Sequence, residues 1–142
     1  MCRAVIDRAD IVREWVAQHI PDCSRGWPND YAIGVVNDNN ELIGGSVYHG
    51  WSPENGVIEM SSAATSPKWI NRLTLKALFG YPFDYLGCRM VVMRVAPDNA
   101  RMRSIALRLG SREYEIDDLR ADGVSEIIYT LKADAWRKFI GA

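Results

Sequence analysis

Apolar positions between residues 10 and 20 recur at the spacing of one helix face: Ile11, Val12, Trp15, Val16, His19 and Ile20. The spacing predicts a helix capped by Asp10 and stopped by Pro21, after a short strand over residues 2–6. A loop with Gly26 and Pro28 as breakers comes next. Residues 31–37 and 41–49 then read as two strands joined by Asp38-Asn39-Asn40, residues that tolerate the positive φ of a hairpin turn. A second turn over 50–56 leads to a third strand, 57–64, whose alternation puts Ile58 and Met60 on one face and Glu59 and Ser61 on the other. From about Asn71 the period changes. Leu75, Leu78, Phe79, Pro82, Phe83 and Leu86 form one helical stripe, with a kink expected at Pro82 and a stop at Gly87.

The nearly unbroken apolar run of 89–95 predicts a central strand covered on both faces. A turn over 96–99 offers Asp98 or Asn99 as N-cap to a helix carrying Met102, Ile105, Ala106 and Leu109 and ending at Gly110. Two strands, 112–116 and 125–131, flank an acidic turn, and a helix over 133–140 closes the chain. The strand–helix–strand unit over 57–95 calls for a right-handed crossover and hence one parallel pair in an otherwise antiparallel sheet. The expected class is α/β of the α+β kind, in one domain over residues 1–142.

Composition fits a packed domain: 142 residues, 48% hydrophobic and 25% charged, which excludes a disordered or collagenous chain. A domain of about 150 residues buries roughly two-thirds of its unfolded surface and needs no staple. Cys2, Cys23 and Cys88 are odd in number and widely spaced, with no CxxC pair and only His19 and His49 to assist them. Reduced thiols, no metal and a cytoplasmic location are expected. No run of about 18 apolar residues is present, so no membrane span is expected, and the N-terminus meets charge too early for a signal peptide. The net charge of −1 argues against a protein that coats nucleic acid. That average conceals a division. Residues 60–112 carry nine basic and two acidic side chains, net +7, and the remainder eight and sixteen, net −8. The central segment suits an anion.

Ten residues separate Pro97-Asp98-Asn99 from Gly110, and Leu109-Gly110 closes the short helix. With Trp69, Ala77, Leu78 and Phe83-Asp84-Tyr85-Leu86-Gly87 in order, this pattern resembles the Gcn5-related N-acetyltransferase (GNAT) superfamily. The nearest look is to its ribosomal-protein-alanine N-acetyltransferase-like branch, and the resemblance runs from about Tyr31 to Leu131. It implies a single-domain acyl-CoA N-acyltransferase fold, a twisted sheet with helices on both faces. It also implies acetyl transfer from acetyl-CoA to a primary amine of a protein or small molecule, without a metal. A homodimer is compatible with this architecture.

Such chemistry asks for three things: a helix N-terminus for the pyrophosphate, a strand edge for the pantetheine arm, and a base for the ammonium. The resemblance carries the first to Lys68, Ile70, Asn71, Arg72, Leu73 and Thr74. Ile70 and Arg72 stand where the family has glycines, so side-chain charge from Lys68 and Arg72 would replace backbone approach. The alternative is a solvated first turn that binds nothing. Ser62, Ala63 and Ala64 would line the pantetheine, or else only admit a closely packed helix. Glu59, a carboxylate in mid-strand, is the candidate base unless it faces solvent. A register placing Val47 opposite Glu59 would bring His49 to the same face as a second base or substrate contact, against a purely structural role.

Ala106 occupies the place of the family's tyrosine acid and Met102 that of a serine in the nearest branch, so no general acid is visible. Asn99 reads as a cap and, by the resemblance, a contact near the cofactor arm; of Arg103, Arg101, Arg108 and Arg112 one or two would meet the adenosine phosphates and the others form a solvated helix face. Trp27, Tyr48 and Trp51 are candidates for the acceptor wall, against a core role that each taken singly fits better, and the loops at 21–30, 50–56 and 117–124 for acceptor choice. The rival reading is a catalytically inactive binding module of the same fold. A nucleic-acid partner for the arginine-rich 89–112 segment ranks below both.

Overall fold

The computed structural model describes residues 1–20, 26, 27 and 29–141. Residues 21–25, 28 and 142 lie outside it, and with them the expected stop at Pro21, the thiol of Cys23 and the breaker at Pro28. Along the chain run β1 (Arg3–Val5), α1 (Ala9–His19), β2 (Tyr31–Val36), β3 (Leu42–Ser52), β4 (Val57–Ala64), α2 (Arg72–Gly80), β5 (Met90–Val95), α3 (Ala100–Arg108), β6 (Arg112–Ile116), β7 (Glu126–Lys132) and α4 (Ala133–Gly141). The strands form one sheet in the order β1-β2-β3-β4-β5-β7-β6. Among the described residues, only β4 and β5 pair in parallel.

Local chemistry accounts for the turns. Asn37 Oδ1 accepts from the amides of Asn39 (2.9 Å) and Glu41 (3.0 Å), and Asn40 takes the positive φ of the β2–β3 hairpin. The next turn is shorter than expected, because Gly50 with φ +62° makes an irregularity that lets β3 continue to Ser52. Asp10 is not the cap of α1. Arg8 holds that position, and Asp10 lies in the first turn, where its charge favours the helix N-terminus.

Among the described residues, α1 is the helix that covers one face of the sheet, through Val12 and Val16 against Ala32, Val47 and Ala63. The approach is close: a Cβ on Gly45 would lie 2.9 Å from Val12 Cγ1. The other face carries the larger core, where Phe79 and Phe83 meet Trp136 of α4, and Ala106 of α3 and its C-cap Leu109 join the same cluster as Met93 and Tyr129. Because α1 reaches only β2, β3 and β4, strand β5 is not sandwiched as its composition suggested. Val91, Met93 and Val95 are buried while Arg94 on the opposite side is exposed.

The Pro82 region also departs from a simple kink. After Gly80 the helix widens into a π-helical turn over Tyr81–Tyr85, and Leu86 N–H donates to Tyr81 C=O (3.0 Å). The looser turn absorbs the donor that proline lacks. No helix among the described residues is long and apolar enough to cross a membrane.

Candidate functional site

The β4–β5 ladder runs from Val57 opposite Met90 to Met60 opposite Met93 and stops there. Strand β4 continues along β3 as far as Ala64 opposite Gly44, and β5 continues along β7 to Val95 opposite Ile127. Among the described residues, 61–64 and 94–95 therefore have no rung across the gap, and a wedge opens at the C-terminal ends of the parallel pair. That end is where open sheets with helical crossovers receive ligands. Helix α2 follows β4 and α3 follows β5, so both helix N-termini lie at the same end.

The turn into α2 is held by its own side chains. Asn71 Oδ1 accepts from Thr74 N–H (2.9 Å) while Thr74 Oγ1 accepts from Asn71 N–H (2.9 Å), a reciprocal capping box. Thr74 is fully buried, its hydroxyl lies 2.7 Å from Trp69 C=O, and Asn71 Nδ2 donates to Cys2 C=O (3.1 Å). Trp69 lies flat on Gly44, where a Cβ would come within 2.5 Å of its ring. Ile70 packs against the core, Leu73 is exposed, and the guanidinium of Arg72 donates to Ile140 C=O at the end of α4. The capping box occupies the amides of Asn71 and Thr74 and leaves those of Arg72 and Leu73 without an intrahelical acceptor. Asn71→Ala is expected to cost about 1 kcal/mol of stability, read by urea unfolding.

On the α1 side of the wedge, His49 stands directly opposite Glu59 and Val47 opposite Ser61. The expected pairing of Val47 with Glu59 is thus off by two residues. Two residues are one full strand period, so His49 and Glu59 share a face all the same. His49 Nε2 lies 2.8 Å from Ser61 Oγ, and the Trp27 ring stacks on the imidazole with centroids 5.3 Å apart. Burial lowers the His49 pKa below its ordinary value of 6.5, opposed by Glu59 and Asp30 and reinforced by Arg94. The Glu59 carboxylate sits over Gly50, where a Cβ would come within 2.8 Å of Oε2. Arg13 Nη1 of α1 donates to Asp30 C=O (2.8 Å) and holds that segment in place. A half-buried, near-neutral imidazole with two carboxylates around it is suited to taking a proton from a cation.

No family model and no curated protein matches this chain. Solved structures do. A GCN5-related N-acetyltransferase from Brucella melitensis superposes with a TM-score of 0.70 at 18% identity, over 99% of this chain and 79% of that one. The spermidine/spermine N-acetyltransferase SpeG from Vibrio cholerae gives 0.68 at 12% identity, over 97% and 95%. A Vibrio cholerae protein put forward as a ribosomal-protein-serine acetyltransferase gives 0.61 at 16%, over 73% and 64%. The fold is that of the Gcn5-related N-acetyltransferases. Two further structures put forward as acetyltransferases are matched over only 64% and 63% of their length, so this chain spans less than two thirds of them. Polyamine and ribosomal-protein enzymes both appear among the neighbours, and the ribosomal-protein-alanine branch is not singled out.

Within that fold, the remaining expected residues divide. Ser62, Ala63 and Ala64 lie on the free stretch of β4 beside the wedge, with Ser62 Oγ 2.7 Å from Ser46 Oγ. Asn99 caps α3, accepting from Met102 N–H (3.2 Å). Arg103 turns toward β6 and β7, donating to Tyr129 Oη (3.3 Å) and Pro97 C=O (2.8 Å) and pairing with Glu113 (3.5 Å). There it lines an open depression of about 560 Å³ between α3 and β6. Ala106 is buried, and Tyr48 belongs to the core on the α2 side, its hydroxyl donating to Leu78 C=O. Among the described residues no cluster of three or more His, Cys, Asp or Glu is arranged to hold a metal.

Ser61 and Trp27 complete the face around His49. Ser61 was legible only as a small residue in a strand, because its bond to His49 depends on register. The capping box had a readable signal in Asn71-x-x-Thr74.

Proposed function

We propose that this chain is an acetyl-CoA-dependent N-acetyltransferase acting on an amine. The observation that carries this reading is the end of the β4–β5 ladder at Met60, with His49 and Glu59 opposed on one side of the opening. The acyl carrier is a substrate, and the wedge suits it in three respects. The free edge of β4 can pair with an amide-bearing arm as an added strand would. The small side chains of Ser62, Ala63 and Ala64 leave room for it, and the first-turn amides of Arg72 and Leu73, with the charges of Arg72 and Lys68, meet a pyrophosphate.

The acceptor approaches from the α1 side as an ammonium. Glu59 and Asp30 attract it, and neutral His49 takes its proton so that the nitrogen lone pair can attack the thioester carbonyl. Thiolate then leaves without needing an acid, consistent with Ala106 in the place of a tyrosine. Reduced thiols and acetyl-CoA coexist in the cytoplasm, the location this reading favours.

The engagement of Arg72 by the end of α4 favours a second reading, a module of the same fold that binds without catalysing. Thermal unfolding with acetyl-CoA, followed by free-thiol release in the presence of amines, separates the two. Saturation at about 100 times Kd stabilises by about 2.7 kcal/mol, a Tm rise of roughly 5–10 °C for a chain of this size. Arg72→Ala is expected to weaken that binding about tenfold, the loss of one charge-assisted contact. A Tm rise without transfer to any amine, or no Tm rise at all, refutes the transferase and supports the binding module.

A further inference from the structure

Ser61 is the first residue of β4 beyond the last rung to β5, so its hydroxyl lies where the two strands part. Alternation puts it on the face of Glu59, and its Oγ is 2.8 Å from His49 Nε2. Ser62, the next residue, turns to the opposite face and closes a hydroxyl pair with buried Ser46. Of these adjacent serines, only Ser61 contacts a titratable side chain. The imidazole itself belongs to β3, one strand further from the opening, with the Trp27 ring stacked on it. The hydroxyl it meets belongs to β4, the strand that borders the wedge.

We propose that Ser61 Oγ relays the acceptor's proton from the wedge to His49 Nε2. This rests on the transferase reading above. The ammonium gives one proton to Ser61 Oγ as the Ser61 hydroxyl proton passes to Nε2, and solvent takes it from the resulting imidazolium. The neutral nitrogen forms the C–N bond, the C–S bond breaks, and the nitrogen's second proton ends on the departing sulfur. No oxidant, metal or covalent enzyme intermediate is involved. The relay needs Nε2 unprotonated, hence the proton on Nδ1. The charged groups facing the imidazole are Glu59 from β4, Asp30 from the segment before β2 and Arg94 from β5.

The test compares Ser61→Ala and Ser61→Thr with the parent chain, with spermidine and n-butylamine as acceptor probes. Ser61→Ala is expected to lower kcat about 10–100-fold, to flatten the acid limb of the kcat/KM profile, and to leave the Tm shift by acetyl-CoA unchanged. Ser61→Thr keeps a hydroxyl and should stay within a few-fold of the parent. A Ser61→Ala rate within twofold of the parent, or an acetyl adduct on Ser61 in the mass spectrum without acceptor, overturns the relay. If neither probe is turned over, nitrogen NMR of His49 decides. A protonated Nε2 in the parent, or an imidazole unmoved in Ser61→Ala, overturns the proposal; an Nδ1–H tautomer lost in Ser61→Ala sustains it. A missing acetyl-CoA shift, by contrast, removes the transferase reading itself.

Discussion

Replacing His49 by alanine is expected to lower kcat by about 10²–10⁴-fold while acetyl-CoA still raises Tm. In the proposed reaction the imidazole is the base, and burial holds it toward its unprotonated form. Its partly buried position disfavours the charged form, so its pKa falls below 6.5. As a base it works unprotonated, so kcat/KM should hold through neutrality and decline only on the acid side, below pH 6.5. Glu59→Gln removes a carboxylate that favours the imidazolium and should move that decline further into acid. The same shift affects stability. Between the ordinary pKa and the lowered one, the unfolded chain binds a proton that the folded chain does not. The fold is therefore at full strength above about pH 6.5, loses stability as pH falls through that window, and changes no further from this source below it. Urea melts across pH 4–8 should show the slope in the parent chain and lose its His49 share in His49→Ala. Unchanged kcat in that variant would remove the imidazole from the chemistry.

Trp136→Ala should have the largest effect on folding, about 3–5 kcal/mol. The ring is only 2% exposed and lies 5.0 Å from Phe79, 6.3 Å from Phe83 and 6.3 Å from Phe139, centroid to centroid. It joins α4 to α2 and the π-helical turn, and truncation leaves a cavity that three further rings cannot fill without leaving their rotamers. For a domain of this size the loss corresponds to a Tm fall of roughly 10 °C or more. The end of α4 also holds Arg72, so the variant should weaken acetyl-CoA binding beyond what its lower Tm explains. A Tm within about 3 °C of the parent chain would contradict the packing described.

Much of this architecture was readable along the chain. The stripe over 75–86 announced α2, the alternation over 57–64 announced β4, and the helix between 64 and 89 demanded a parallel pair. His49 and Glu59 could be placed on one face even with the wrong register, because a two-residue error returns every side chain to its own side. Where the reading went astray, a distant segment decided. The apolar run of β5 suggested cover on both faces, but α1 is three turns long and ends over β4. For Arg103, read along the chain as a partner for a phosphate, β6 and β7 bring Glu113 and Tyr129 as further partners. For Tyr48, pocket wall or core by its sequence, the structure decides for the core, and its partner Leu78 on α2 lies thirty residues further along the chain.

By itself, the order of residues determined which segments are helix or strand and which side chains alternate together, since both follow from sterics and periodicity within a few residues. The tertiary structure decided which residues stand opposite each other, where the ladder between β4 and β5 ends, and hence that Ser61 meets His49 beside an opening. Those outcomes depend on how strands from separate parts of the chain settle against one another and against α1 and α2, where volume and hydrogen-bond pairing are resolved for the whole molecule at once.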